Sequence, residues 1–111
     1  MLKDVIKRTK ATAIQCSNDL IAFSCYTAVK EMGLNVGKDI SVVGFDNMKE
    51  VLWLYPALTT INMKRMEVGA IAAKFIVDSL KTKELVFSEV RIKCELIEGS
   101  SVKDLTQINE L

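Results

Sequence analysis

Asn18, Asp19 and Asp46 are the polar side chains best placed to hold a small molecule, because each closes a short apolar run. A carboxylate such as Asp46 accepts two hydrogen bonds from hydroxyl or N–H groups, and charge-assisted bonds of this kind contribute roughly 1.5–3 kcal/mol each. The run Ile40-Ser41-Val42-Val43-Gly44-Phe45 would fix its position. Asp-Asn after a strand is equally ordinary turn chemistry, so spacing alone leaves ligand contact and turn capping both open. Asn18 and Asp19 pose the same choice, since either can cap a helix beginning at Leu20 while the other faces a ligand. Arg65 could meet an anionic ligand or simply be solvated.

Catalysis finds little support. The chain has no histidine, no Gly-x-Ser-x-Gly, no phosphate-binding glycine loop and no close acidic pair at a strand end. A phosphoacceptor domain would need an acidic pair after its first strand and a lysine after its last core strand, and neither is visible. Cys16, Cys25 and Cys94 are odd in number and widely spaced, without a Cys-x-x-Cys pair, which argues against a zinc site or a disulfide framework. No enzyme activity, metal or cofactor is expected. Fifteen basic against fourteen acidic residues leave a charge of +1 and no basic stripe, so Lys3, Lys7, Arg8 and Lys10 read as a solvated helix face rather than a grip on nucleic acid. Met1–Lys10 lacks the apolar stretch of a signal peptide, and no apolar run reaches membrane-spanning length. A cytoplasmic protein with reduced thiols is the expectation.

The elements that must position these groups follow from periodicity. Thr12-Ala13-Ile14-Gln15-Cys16 reads as a strand running into the cap residues Ser17-Asn18-Asp19. Ile21, Cys25, Ala28, Val29 and Met32 then trace one helical face, with Gly33 placed as a left-handed stop. Residues Ile40–Phe45 form a nearly uninterrupted apolar, β-branched run, the signature of a parallel strand covered on both faces. A short strand follows over Leu58–Ile61. Val68, Ile71, Ala72, Phe75, Ile76 and Leu80 predict a further amphipathic helix wide enough to face a sheet. Val90, Ile92, Cys94 and Leu96 alternate with charged residues as an edge strand would. The tail Ser100–Leu111 is mixed. The order strand, helix, strand predicts an α/β fold with a parallel sheet, whose ligands bind beyond the carboxyl ends of the strands, where Asn18, Asp19 and Asp46 lie.

Thr12–Ala22, then Asp39-Ile40-Ser41-Val42-Val43-Gly44-Phe45-Asp46-Asn47, then Pro56-Ala57-Leu58-Thr59-Thr60-Ile61 resemble, in order and spacing, the C-terminal part of lactose/galactose repressor family members. The likeness continues through Met66–Ala72 and Glu95–Val102. It implies a partial lobe of the periplasmic sugar-binding-protein-like type (type I), with residues 1–56 and 85–111 in the C-terminal lobe and 57–84 crossing into the N-terminal lobe. It also implies a transcriptional repressor that senses a sugar or purine effector and dimerises, here without its DNA-reading head, so that DNA is met only through that missing N-terminal domain. A piece of a periplasmic-type sugar receptor is the alternative.

The resemblance places Asp46 on the effector. It puts a cleft-lining polar residue at Asn18 or Asp19, and the preferred division is Asn18 on the ligand and Asp19 as the cap. For Leu52, Trp53 and Tyr55, a sugar-stacking platform and core packing compete with the subunit interface that the resemblance favours, joined there by Ile21 and Cys25. A helix over 68–80 deprived of its usual neighbours must bury its stripe some other way, and self-association, a swapped homodimer being one route, is the expectation.

Overall fold

The computed structural model describes residues 1–85 and 89–106. The element order is α1 (Leu2–Thr9), β1 (Ala13–Gln15), α2 (Asp19–Glu31), β2 (Ser41–Val43), a 3₁₀ turn (Lys49–Val51), β3 (Thr60–Asn62), α3 (Arg65–Thr82) and β4 (Glu95–Ile97).

β1 and β2 pair in parallel, Ile14 opposite Val42. Parallel neighbours need a crossover, and α2 supplies it. The ladder extends beyond β2 on its other side, where Val43 bridges Thr59 in parallel, the Gly44 amide donates to the Thr59 carbonyl at 2.9 Å, and the Asp46 amide donates to the Ile61 carbonyl at 2.9 Å. β3 in turn pairs antiparallel with β4, Ile61 opposite Leu96. The expected parallel α/β arrangement is therefore present, in short strands. The last strand is shorter than alternation over Val90–Leu96 suggested.

α2 buries Ala22, Cys25, Tyr26 and Val29. Their spacing of three, four and seven residues makes a single stripe against β2. The stripe is turned by one residue from the one periodicity predicts, and Ile21 is left 47% exposed. Gly33, at φ 73°, ends the helix as expected, with the Leu34 amide returning to the Val29 carbonyl. The same core takes in Ile6 from α1, Ile40 and Val42 from the second strand region, and Val51, Leu54 and Leu58 from the segment after it.

The tail is not loose at its start. Ser101, fully buried, donates from Oγ to the Val42 carbonyl at 2.5 Å and accepts from the Thr59 amide at 2.8 Å, while its own carbonyl accepts from the Val42 amide. One hydroxyl thereby joins β2 to the entry of β3. Residues 107–111 of the mixed tail, and 86–88, lie outside the described residues.

α3 differs in kind. None of its residues is buried, and Met66, Ile76 and Leu80 stand 63–89% exposed. A compact chain of this length has a radius of gyration of about 13 Å; this one has 19.1 Å and measures 63 × 35 × 27 Å. The sheet that its apolar stripe was expected to face is not among the described residues.

Candidate functional site

The carboxyl ends of β1 and β2 lie side by side, and the loops that leave them carry Asn18, Asp19 and Asp46. The Asp19 amide donates to the Phe45 carbonyl at 2.9 Å, which brings the two loops into direct contact.

Asn18 is the helix cap. Its backbone is extended, at φ −157° and ψ 173°, and its Oδ1 accepts from the Ile21 amide at 2.9 Å. This reverses the expected division, in which Asp19 was to cap. The reason is geometric: the cap residue stands before the first helical turn with its side chain folded back over the third amide, and that place belongs to Asn18. Once its oxygen is engaged, the Asn18 amide nitrogen is the part of the side chain left for other work.

Asp19 has instead turned inward. It is 0% exposed, Oδ2 accepting from the Met48 amide at 2.7 Å and Oδ1 from the Thr60 hydroxyl at 2.6 Å. Thr60 Oγ1 accepts in turn from the Asn47 amide at 3.4 Å. Gly44 makes room for this carboxylate, since a Cβ at that position would overlap Asp19 Oδ1. Buried carboxylates persist where their lone pairs are filled, and among the described residues no buried side-chain polar atom lacks a partner. Asp19, a candidate ligand contact in the sequence beside its preferred role as the cap, thus has no surface open to a ligand in this arrangement and acts on the loops around it.

Those loops include Asp46. Asp46 and Asn47 take φ values of 104° and 53°, a left-handed stretch that L-residues rarely adopt. Hydrogen bonds on both sides hold it: the Asp46 amide to Ile61, the Met48 amide to Asp19, and the Asn47 amide to Thr60. Asp46 remains partly exposed at the strand end. Thr60 and Ser101 were missed by sequence reasoning; for Thr60 a hydroxyl interrupting an apolar run was the available sign, and for Ser101 the local sequence carries none. Arg65 is exposed at the start of α3.

A second surface lies on the other side of α2. Trp53 meets Phe23 edge to face, with ring centroids 5.3 Å apart and planes at 68°. Leu52, Trp53 and Tyr55 are 71%, 68% and 93% exposed, so core packing does not explain them. Val51 and Leu54 take the inward places instead. A concavity of about 580 Å³ opens beside them, lined by Phe23, Tyr26, Trp53, Tyr55 and Lys30. Tyr26 closes its floor by donating its hydroxyl to the Pro56 carbonyl at 2.8 Å. Cys25, expected on this surface, is only 3% exposed and packs on Cys16, because it lies on the inward stripe of α2. Ile21 is partly exposed on the outward side.

Comparison with known proteins agrees with this geometry. Residues 1–102 match the family model described as a periplasmic binding protein-like domain. The HTH-type transcriptional repressor PurR of Erwinia tasmaniensis is 33% identical over 104 residues, covering 94% of this chain and 30% of the relative. PurR of Serratia proteamaculans is 34% identical over 98 residues, 88% of this chain and 29% of the relative. The chain thus spans about 30% of the length of the curated relatives it matches. Among solved structures, a LacI family transcriptional regulator from Enterococcus faecium with bound ribose superposes with a TM-score of 0.85 at 28% identity, covering 94% of this chain and 39% of that one. The Lac repressor dimer bound to operator and an anti-inducer gives 0.81 at 26% identity, covering 92% and 36%. With a family model spanning most of its length, and with strand-end loops built as such a fold requires, the chain belongs to the periplasmic binding protein-like domain family, in its lactose/galactose repressor branch.

Proposed function

We propose that these residues form the effector-sensing and dimerisation part of a bacterial transcriptional repressor, that the sensed molecule is a sugar or a purine, and that the protein works in the cytoplasm without catalysing a reaction. The observation that carries the reading is the pair of strand-end loops: Asp46 lies in a left-handed turn that the buried Asp19 anchors through the Met48 amide, and the Asp19 amide joins that loop at Phe45 to the turn carrying Asn18. A carboxylate acceptor and an amide donor on adjoining strand-end loops suit a ligand rich in hydroxyl or N–H groups. The similar regulator from Enterococcus faecium has ribose bound, and one from Arthrobacter sp. FB24 is in complex with lactose. In this reading Asp46 and Asn18 contact the effector, Asp19 positions them, residues 57–84 cross into a second lobe, and DNA is read by a domain outside these 111 residues. The effector binds one lobe arrangement more tightly than the other, and that differential affinity biases the DNA-reading part.

The test is calorimetry of the full-length regulator carrying these residues against pentoses, galactosides and purine bases. Asp46→Ala is expected to weaken the ligand found by about 1.5–3 kcal/mol, roughly ten- to a hundredfold in Kd. Unchanged affinity would remove Asp46 from the site.

The exposed Leu52, Trp53 and Tyr55, with Ile21 and Phe23 of α2, support dimerisation through this face, since large aromatic side chains anchor interfaces. Sedimentation of the 111-residue chain should show a concentration-dependent dimer. Trp53→Ala is expected to weaken it by about 2 kcal/mol, roughly thirtyfold. A monomer at every concentration counts against self-association.

A further inference from the structure

Cys16 and Cys25 take no part in the effector reading, yet their placement is specific. Cys16 follows β1, its amide held by the Val43 carbonyl at 2.8 Å, and Cys25 faces it from the second turn of α2. The Sγ atoms are 3.5 Å apart and each residue is 3% exposed. The chain between them is the β1–α2 turn, which contains Asn18 and Asp19. Cys94, the remaining cysteine, is exposed and far along the sequence.

We propose that Cys16 and Cys25 form a reversible intramolecular disulfide when the protein meets a hydroperoxide, and that the bridge resets the turn carrying Asn18 and Asp19. A disulfide needs its sulfurs at about 2.05 Å, so they must close by about 1.5 Å. Side-chain rotation and a small shift of one helical turn supply that distance without refolding. A shift of this size is felt at Asp19, whose hydrogen bonds to Met48 and Thr60 leave it no slack.

The chemistry balances in two steps. Cys25 sulfur attacks the peroxide oxygen, the O–O bond breaks, and the departing oxygen takes the thiol proton to leave as water, giving a sulfenic acid on Cys25. Cys16 sulfur then attacks Cys25 sulfur, the S–O bond breaks, and the hydroxyl leaves with the Cys16 proton as a second water. The two sulfurs together lose two electrons, and the peroxide gains them. Burial, helped by the hydrogen bond with Cys25, pushes the Cys16 thiol up to about 12. Cys16 therefore stays protonated at neutral pH, and in the second step its proton is lost to the departing hydroxyl as its sulfur attacks. Because both sulfurs are covered, peroxide enters only when the β1–α2 turn opens, and the oxidation rate reports that opening. That an effector would slow it rests on the proposed effector site; the bridge itself does not.

The experiment uses the 111-residue chain with Cys94→Ser, treated with hydrogen peroxide in native buffer. Intact mass should fall by two hydrogens, and dithiothreitol should restore it. Chymotryptic cleavage after Phe23 separates the two cysteines, so the bridge should join two peptides. Cys16→Ala and Cys25→Ala in the same background, confirmed as folded by circular dichroism, should each abolish the joined species entirely. Amide exchange over residues 18–21 should change on oxidation and recover on reduction. Oxygen uptake without a joined peptide, links only between chains, a bridge formed only in urea, or no reaction of the folded chain would each overturn the bridge. A bridge that leaves exchange over 18–21 unaltered would overturn its action on the turn. No effector enters the assay, so its outcome is independent of the effector reading.

Discussion

Asp19→Ala is expected to cost more stability than any other side-chain truncation in this chain. The carboxylate is 0% exposed and takes hydrogen bonds from the Met48 amide and the Thr60 hydroxyl. Alanine leaves both donors buried without an acceptor, at about 1–3 kcal/mol each, or roughly 2–6 kcal/mol together. Domains have only about 5–15 kcal/mol in all, so a large part of the stability margin would be lost. Asp19→Asn should fall between the two, because an amide offers one oxygen where the site needs two acceptors. Its nitrogen must then face either the Met48 N–H, a clash of donors, or Thr60 Oγ1, which already accepts from Asn47. Urea denaturation followed by circular dichroism gives the comparison. Equal midpoints for Asp19→Ala and the parent would mean that the carboxylate does not hold the loops together.

The same residue shows how far the sequence could be read. That Asn18 and Asp19 sit at a strand-to-helix junction was legible, because small polar residues after an apolar run cap helices. Which of the two caps was not. The choice depends on where the carboxylate finds a better home, and that home is built from Thr60 and the Met48 amide, 41 and 29 residues away in the chain. Gly44 belongs to the same case. Inside a strand it reads as a weak point, and only the structure reveals that its missing side chain makes space for Asp19.

The surface residues divide in a similar way. Periodicity found α2, its glycine stop and the inward places of Cys25 and Val29, yet took Ile21 for the start of the stripe and left Ala22 and Tyr26 unremarked; it was the resemblance that put Cys25 at the subunit interface. A helix with apolar residues on more than one face leaves the choice of buried stripe to its partners, here β2 and the segment Val51–Leu54. In Val51–Tyr55 the sequence gives no sign of which apolar residues turn in. The turn that follows the 3₁₀ segment settles it: the Leu54 amide donates to the Val51 carbonyl at 3.0 Å, and Val51 and Leu54 go inward while Leu52, Trp53 and Tyr55 stay out. α3 was expected as an amphipathic helix wide enough to face a sheet, and that expected neighbour is not among the described residues. Its amphipathic stripe records a packing that these residues do not supply by themselves.

Gly99→Ala should be strongly destabilising, and Gly69→Ala should have the opposite sign. Gly99 lies where the chain returns from β4 to the buried Ser101. Its amide donates to Thr59 Oγ1 at 3.0 Å, and a Cβ there would overlap the Ala57 carbonyl oxygen and come within 2.7 Å of the Ala57 and Leu58 carbonyl carbons. These are backbone atoms, themselves tied down by the Ala57 and Ser100 pairing and by the Thr59 amide on Ser101, so no flexible side chain can yield. Forced overpacking of this kind costs about 1–3 kcal/mol and occasionally more. At Gly69, inside α3, an added Cβ meets nothing within 4 Å. Alanine there only reduces the conformational freedom lost on forming the helix, a gain of about 0.5–1 kcal/mol. Parallel denaturation of the two variants therefore tests the architecture at its joint. If Gly99→Ala unfolds at the parental midpoint, the segments 57–59 and 99–101 are not the rigid seam that fixes β3 and β4 to the rest of the sheet. If it unfolds early while Gly69→Ala gains, the strength of this chain lies in that seam, and α3 is a helix held by its own propensity until another surface covers it.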